Sequence, residues 1–139
     1  MTDVVARTDI EVVEAFLHAL EALDVAAAMD LATDDIEYQN VPFPSAKGKR
    51  SVGKQLGSLN TMFTGFEAHN HHIASDGDGV VLTERTDVLI RGRIRASFWV
   101  CGTFEVRDGK VAVWRDRFDF VDFTVACVKA LVLAPFRGR

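Results

Sequence analysis

Three turn signals in the second half of the chain limit the possible folds more than any other feature. Asp76-Gly77-Asp78-Gly79, Arg91-Gly92 and Asp108-Gly109 interrupt long strand-like runs, and glycine in such pairs supplies the backbone conformations that tight hairpins require. Their placement predicts four consecutive strands, Phe66–Ser75, Val80–Ile90, Ile94–Val106 and Lys110–Val121, joined as an antiparallel meander. Strand twist accumulates along runs of this length, so the expected sheet is curved.

The first half has a different period. Ile10, Val13, Phe16, Leu17, Leu20 and Leu23 recur at spacings of three and four, as on the buried stripe of a helix. Thr8 is placed as its N-cap, with Glu11 completing a capping box. Asp24 is placed to cap a second, short helix through Ala26, Ala27, Ala28, Met29 and Leu31. Ile36–Val41 reads as a strand stopped by Pro42 and Pro44. A third helix is expected over Arg50–Phe63, weakened by Gly53 and Gly57, and a last one over Val121–Leu133. The layout is α+β: helices close one face of a bent sheet and leave a cone with an internal pocket.

The 139 residues, 48% of them hydrophobic, are expected to form one domain over 1–139, with 1–7 flexible. Sixteen Lys and Arg against twenty Asp and Glu leave a net charge of −4, which argues against nucleic acid as a partner. The last apolar segment, at about 13 residues, is too short for a membrane span. Two cysteines, Cys101 and Cys127, stand in no metal-binding or disulfide spacing, and a reducing cytoplasm fits best.

Strand parity singles out a set of polar residues, because residues two apart point to one face. Tyr38, the single tyrosine, shares a face with Asn40; Arg85 shares one with Asp87; Asp116 lies between Trp114 and Phe118. Phe98 and Val100 are their companions on the third strand of the meander. One reading makes Arg85, Asp87 and Asp116 a solvated ion-pair cluster of little energetic value. The other buries them. An interior carboxylate then needs a partner, and Arg85 is available. Two acids on one buried arginine favour the singly protonated state, which supplies an acid and a base together. Such a pair opens a strained ring with water, one group deprotonating the water while the other protonates the departing oxygen.

The segments Tyr38-Gln39-Asn40-Val41-Pro42, Leu82-Thr83-Glu84-Arg85-Thr86-Asp87-Val88 and Trp114-Arg115-Asp116-Arg117-Phe118-Asp119 resemble the limonene-1,2-epoxide hydrolase family, including its mycobacterial members. The resemblance runs from the first helix through the final strand. It implies a cystatin-like, NTF2-like fold, a homodimer, and one-step hydrolysis of an epoxide to a vicinal diol without metal or organic cofactor. By position, the resemblance makes Asp116 the base on water, Asp87 the acid, Arg85 the bridge between them, and Tyr38 and Asn40 the remaining water ligands. Position 117, often tyrosine in the family, is arginine here and faces away from Asp116, so it is expected to alter a surface such as the dimer contact.

Leu17, Leu20, Phe63, Leu89, Phe98, Val100, Trp114, Phe118 and Phe123 are the expected pocket wall, which implies a lipophilic substrate of terpene, fatty-acid or sterol type. His69 and His71 share a strand face by parity, but no further ligand completes a metal set, and a solvated face explains them. Asp119 and Asp122 are read as caps of the last helix. A ketosteroid-isomerase-like or polyketide-cyclase-like enzyme and a hydrophobic-ligand carrier are the competing functions for such a cone. The isomerase chemistry calls for a base and an oxyanion donor in place of an arginine-bridged pair of acids.

Overall fold

In a computed structural model, residues 8–137 are described; the expected flexible segment 1–7 lies outside them. Helix α1 spans Asp9–Glu21, and Thr8 and Glu11 form the reciprocal capping box at its start. Asp24 caps α2, Val25–Asp30, by accepting from the Ala27 amide. Strand β1 covers Ala32–Val41, beginning earlier than the apolar run suggested, and β2 is the two-residue Ala46–Lys47. Helix α3 runs over Lys49–Met62. The meander follows as β3 (Gly65–Ser75), β4 (Val80–Arg91), β5 (Ile94–Arg107) and β6 (Lys110–Phe118). Asp119 ends β6 three residues before the expected boundary, because its carboxylate takes the Val121 and Asp122 amides and starts α4, Phe120–Leu133.

These strands form one curved, mixed sheet in the order β2-β1-β6-β5-β4-β3. The meander is antiparallel, as its turns require. The β1–β6 pairing is parallel, and no local signal announced it. Helix α1 packs mainly on β3, whereas α4 packs on β5 through Ala126 against Phe98 and Val100. The main core gathers Val13, Phe16, Ile36, Val52, Phe104 and Trp114 between the first three helices and the sheet.

Register carries the functional information. Asn40 on β1 stands opposite Asp116 on β6, Asp116 opposite Gly102 on β5, and Gly102 opposite Thr83 on β4. Tyr38, Trp114, Phe104 and Val81 form the adjacent row two residues away. Residues paired across strands share a face, so these rows bring segments far apart in sequence onto one surface.

Candidate active site

Arg85 is fully buried, an arrangement that persists only where its charge and hydrogens are matched. Its Nε donates to Asp87 Oδ1 at 3.0 Å and its Nη2 to Asp87 Oδ2 at 2.9 Å. On the other side, Nη1 donates to Asp116 Oδ1 at 3.2 Å and Nη2 to Asp116 Oδ2 at 2.9 Å. Each carboxylate is thus held by two hydrogen bonds, the strong planar geometry of guanidinium and carboxylate. The solvated ion-pair reading is excluded by the burial of both aspartates.

Burial favours the neutral form of Asp87 and raises its pKa above the ordinary aspartate value, against the pull of Arg85 and with help from neighbouring Asp116. For Arg85, burial works against its charge, but the two carboxylates reverse that and hold it protonated. With both acids ionised the trio carries −1, and with one proton it is neutral, the state a low-dielectric site prefers.

Tyr38 stacks on Trp114 with ring centroids 4.1 Å apart, and its oxygen accepts from Asn40 Nδ2 at 2.9 Å. Burial and the nearby Asp116 charge push its pKa up. The phenol keeps its proton, and since the oxygen already accepts from Asn40, its O–H is left to donate.

These groups open onto a cavity of about 200 Å³ whose lining includes Tyr38, Asn40, Asp87 and Asp116. Eight of the expected wall residues line it: Leu20, Phe63, Leu89, Phe98, Val100, Trp114, Phe118 and Phe123. Leu17 does not. It is 3% exposed and lies in a separate groove beside Ala68, His69 and Asn70. The apolar stripe of α1 is wide, and only its last turn reaches the cavity, while Leu17, nearly a turn earlier, covers β3.

Sequence reasoning missed Leu23, Val25, Leu56, Leu59 and Phe66 on the wall, and Asp24 and Asn60 beside them. Leu56, Leu59 and Phe63 repeat at helical spacing, a signal that went unread. It also missed Thr83 and Gly102, which touch the trio. Thr83 shares the parity of Arg85, and a glycine within a strand often marks a close approach.

His71 and His69 of β3 have partners on β4 and on their own strand, respectively. A register shift falls between Asn70 and His72; His71 meets Thr86 Oγ1 at 2.7 Å, and Thr86 is the cross-strand partner of His69, which itself meets Glu67 at 2.8 Å. No group of three or more His, Cys, Asp or Glu side chains among the described residues is arranged to hold a metal.

An apolar cavity closed by helices over a mixed sheet, with a guanidinium holding two acids on its floor, defines an acid–base pocket on a cystatin-like, NTF2-like cone. A protein of ketosteroid-isomerase-like fold from Catenulispora acidiphila, solved with trimethylamine, shares this fold at a TM-score of 0.76 and 15% identity, over 87% of this chain and 95% of its own. Residues 7–129 match the limonene-1,2-epoxide hydrolase catalytic domain. The epoxide hydrolase EphG of Mycobacterium tuberculosis is 44% identical over 120 residues, which is 86% of this chain and 79% of that protein. The structure of an M. tuberculosis LEH-like epoxide hydrolase superposes with a TM-score of 0.84 at 42% identity, covering 92% of this chain and 95% of the other. The chain belongs to the limonene-1,2-epoxide hydrolase family.

Proposed function

We propose that the chain is an epoxide hydrolase that adds water to a lipophilic epoxide in one acid–base step and releases a vicinal diol. The observation that carries the reading is Arg85 bound through two hydrogen bonds to each of two buried carboxylates on the floor of an apolar cavity. Asp116 acts as the base. Its cross-strand neighbour is Asn40, whose amide is tied to Tyr38, so the three polar groups surround one position for water. Asp87, whose neutral form burial favours, acts as the acid.

Water oxygen bonds to an epoxide carbon as its proton passes to Asp116, the carbon–oxygen bond of the ring breaks, and Asp87 gives its proton to the released oxygen. The trio begins and ends the step neutral, so no net charge develops on the buried groups beside the substrate. The apolar wall supplies affinity for a terpene, fatty-acid or sterol type of epoxide. The reading takes residues 1–139 as one catalytic domain acting in the cytoplasm, and two free cysteines support a reducing compartment. Among the described residues no helix is long and apolar enough to cross a membrane.

A homodimer is part of the proposal. Val121, Val125, Val128, Leu131 and Val132 of α4 are each more than half exposed, and an apolar face of this kind marks an interaction surface. A second copy would cover it.

The test is diol formation in ¹⁸O-water under single-turnover conditions, with limonene 1,2-oxide, a long-chain 1,2-epoxyalkane and a sterol epoxide as substrates. Label in the first-turnover diol, lost with Asp116→Asn, is the expected result. Unlabelled first-turnover diol would mean a covalent ester and overturn the direct attack. No diol from folded protein with any of the three would favour a carrier or an isomerase.

A further inference from the structure

We infer that Thr83 and Gly102 position the Arg85 guanidinium for catalysis, Thr83 by taking its fifth hydrogen and Gly102 by leaving the gap through which the side chain crosses β5. The inference rests on the proposed catalytic role of Asp87 and Asp116.

Arg85 and Asp87 project from β4, and Asp116 from β6, with β5 between them. Two strand spacings amount to roughly 10 Å, and any side chain standing on β5 in that path would block the reach. The residue there is Gly102, paired with Thr83 on one side and Asp116 on the other. A Cβ at this position would sit 2.5 Å from Arg85 Nη1, 2.7 Å from Thr83 Oγ1 and 2.9 Å from Asp116 Oδ1. Gly102 is absent from the positive-φ glycines, so its backbone would accept another residue. Only the space over it is in demand.

A guanidinium has five N–H hydrogens. Four go to the two carboxylates, and the remaining one, on Nη1, goes to Thr83 Oγ1 at 3.2 Å. Thr83 is 4% exposed, and its hydroxyl is turned toward Gly102 O at 3.5 Å. A hydroxyl accepts the fifth hydrogen without adding charge, whereas a third carboxylate would leave the site more negative. The contact also stops the guanidinium from rotating away from the plane in which it meets both acids. Thr83 bonds the guanidinium rather than the reacting atoms and is a positioning residue.

The experiment compares kcat, KM and the pH profile of kcat/KM for Thr83→Val, Thr83→Ala, Thr83→Ser and Gly102→Ala, using the fastest epoxide of the panel above. Asp87→Asn and Asp116→Asn are controls. Thr83→Val should lower kcat by about 10- to 100-fold, the usual cost of removing a buried partner of a working group. KM should stay within about twofold. The basic limb of the profile should move to lower pH, because a guanidinium freed from the hydroxyl leans on the carboxylates alone and favours their ionised forms. Thr83→Ser should stay within about threefold of the parent, and Gly102→Ala should lose at least as much as Thr83→Val. If the valine variant does not fold, the alanine variant is read in its place.

An unchanged kcat, an unmoved or raised basic limb, a loss confined to KM, or a serine variant as slow as the valine or alanine variant would each overturn the inference. Active aspartate variants would instead bring down the catalytic reading beneath it. Inactive aspartate variants beside an unaffected Thr83→Val would overturn this inference alone.

Discussion

At the floor of the cavity Arg85, Asp87 and Asp116 are 0%, 4% and 5% exposed, while along α4 Val121, Leu131 and Val132 are 74%, 60% and 62% exposed. Charge is inside and aliphatic surface is outside, against the usual preference of both. The two exceptions persist for different reasons. Every N–H of Arg85 has an acceptor, so the desolvation cost is offset inside the chain. Among the described residues nothing covers the outer face of α4. An internally completed exception points to chemistry, and an incomplete one points to another molecule.

The largest expected effect breaks the internal exception. Arg85→Leu leaves two buried carboxylates unpaired and should cost about 3–5 kcal/mol of stability, measured by urea denaturation, with activity lost. The pH dependence follows from the raised pKa of Asp87. Folding holds this proton more tightly than the unfolded chain does, so the stability it confers is present in acid and lost as pH rises through the folded-state pKa. Removing Arg85 exaggerates that trend, and the destabilisation should be greatest near neutral pH and shrink in acid. Asp87→Asn and Asp116→Asn should each lower kcat/KM by roughly 10²- to 10⁴-fold, with circular dichroism showing the fold retained.

In the parent enzyme the proposed acid must hold its proton. The kcat/KM profile should therefore fall as pH rises through the raised pKa of Asp87, and Asp87→Asn should remove that limb from whatever activity remains. A limb that survives in the asparagine variant would assign the proton to another group.

Leu131→Glu sharpens the outer side of the comparison. It should shift sedimentation toward monomer while changing the stability of the folded chain by only about 0.5 kcal/mol. Unchanged sedimentation would remove α4 from the proposed interface. The smallest effect is a control far from both regions: Thr8→Ala, which removes the cap of α1, should cost about 1 kcal/mol in thermal unfolding and leave kcat unchanged.

Much of the architecture was legible along the chain. Asp-Gly and Arg-Gly turns act within a few residues, as do the capping box at Thr8 and the Asp24 cap, and the structure has them where the sequence put them. The largest boundary error, at the start of β1, came where a distant partner decided it. Strand β1 extends back to Ala32 because β6 lies beside it, with a register shift between Ala32 and Glu37, and β2 exists only as a partner for Glu37 and Tyr38.

The site was legible in residue type and parity and illegible in depth. Arg85 with Asp87, Tyr38 with Asn40, and Trp114 with Asp116 are two-residue spacings that any strand would display. Whether those faces pointed inward could not be read from them, and the solvated reading stood until burial was known. Leu17 shows the same limit on a helix, where apolar period marks a buried stripe without saying which part meets core and which meets cavity.

The sequence by itself determined the order of helices and strands, the hairpin turns, the caps and the faces on which the polar residues lie, because each depends on interactions spanning a few residues. Only the tertiary structure decided that Asn40, Asp116, Gly102 and Thr83 form one row across four strands, and that Arg85 reaches over the glycine to both acids. Register between strands depends on contacts distant in sequence, and a one-residue slip would have turned each carboxylate to the opposite face.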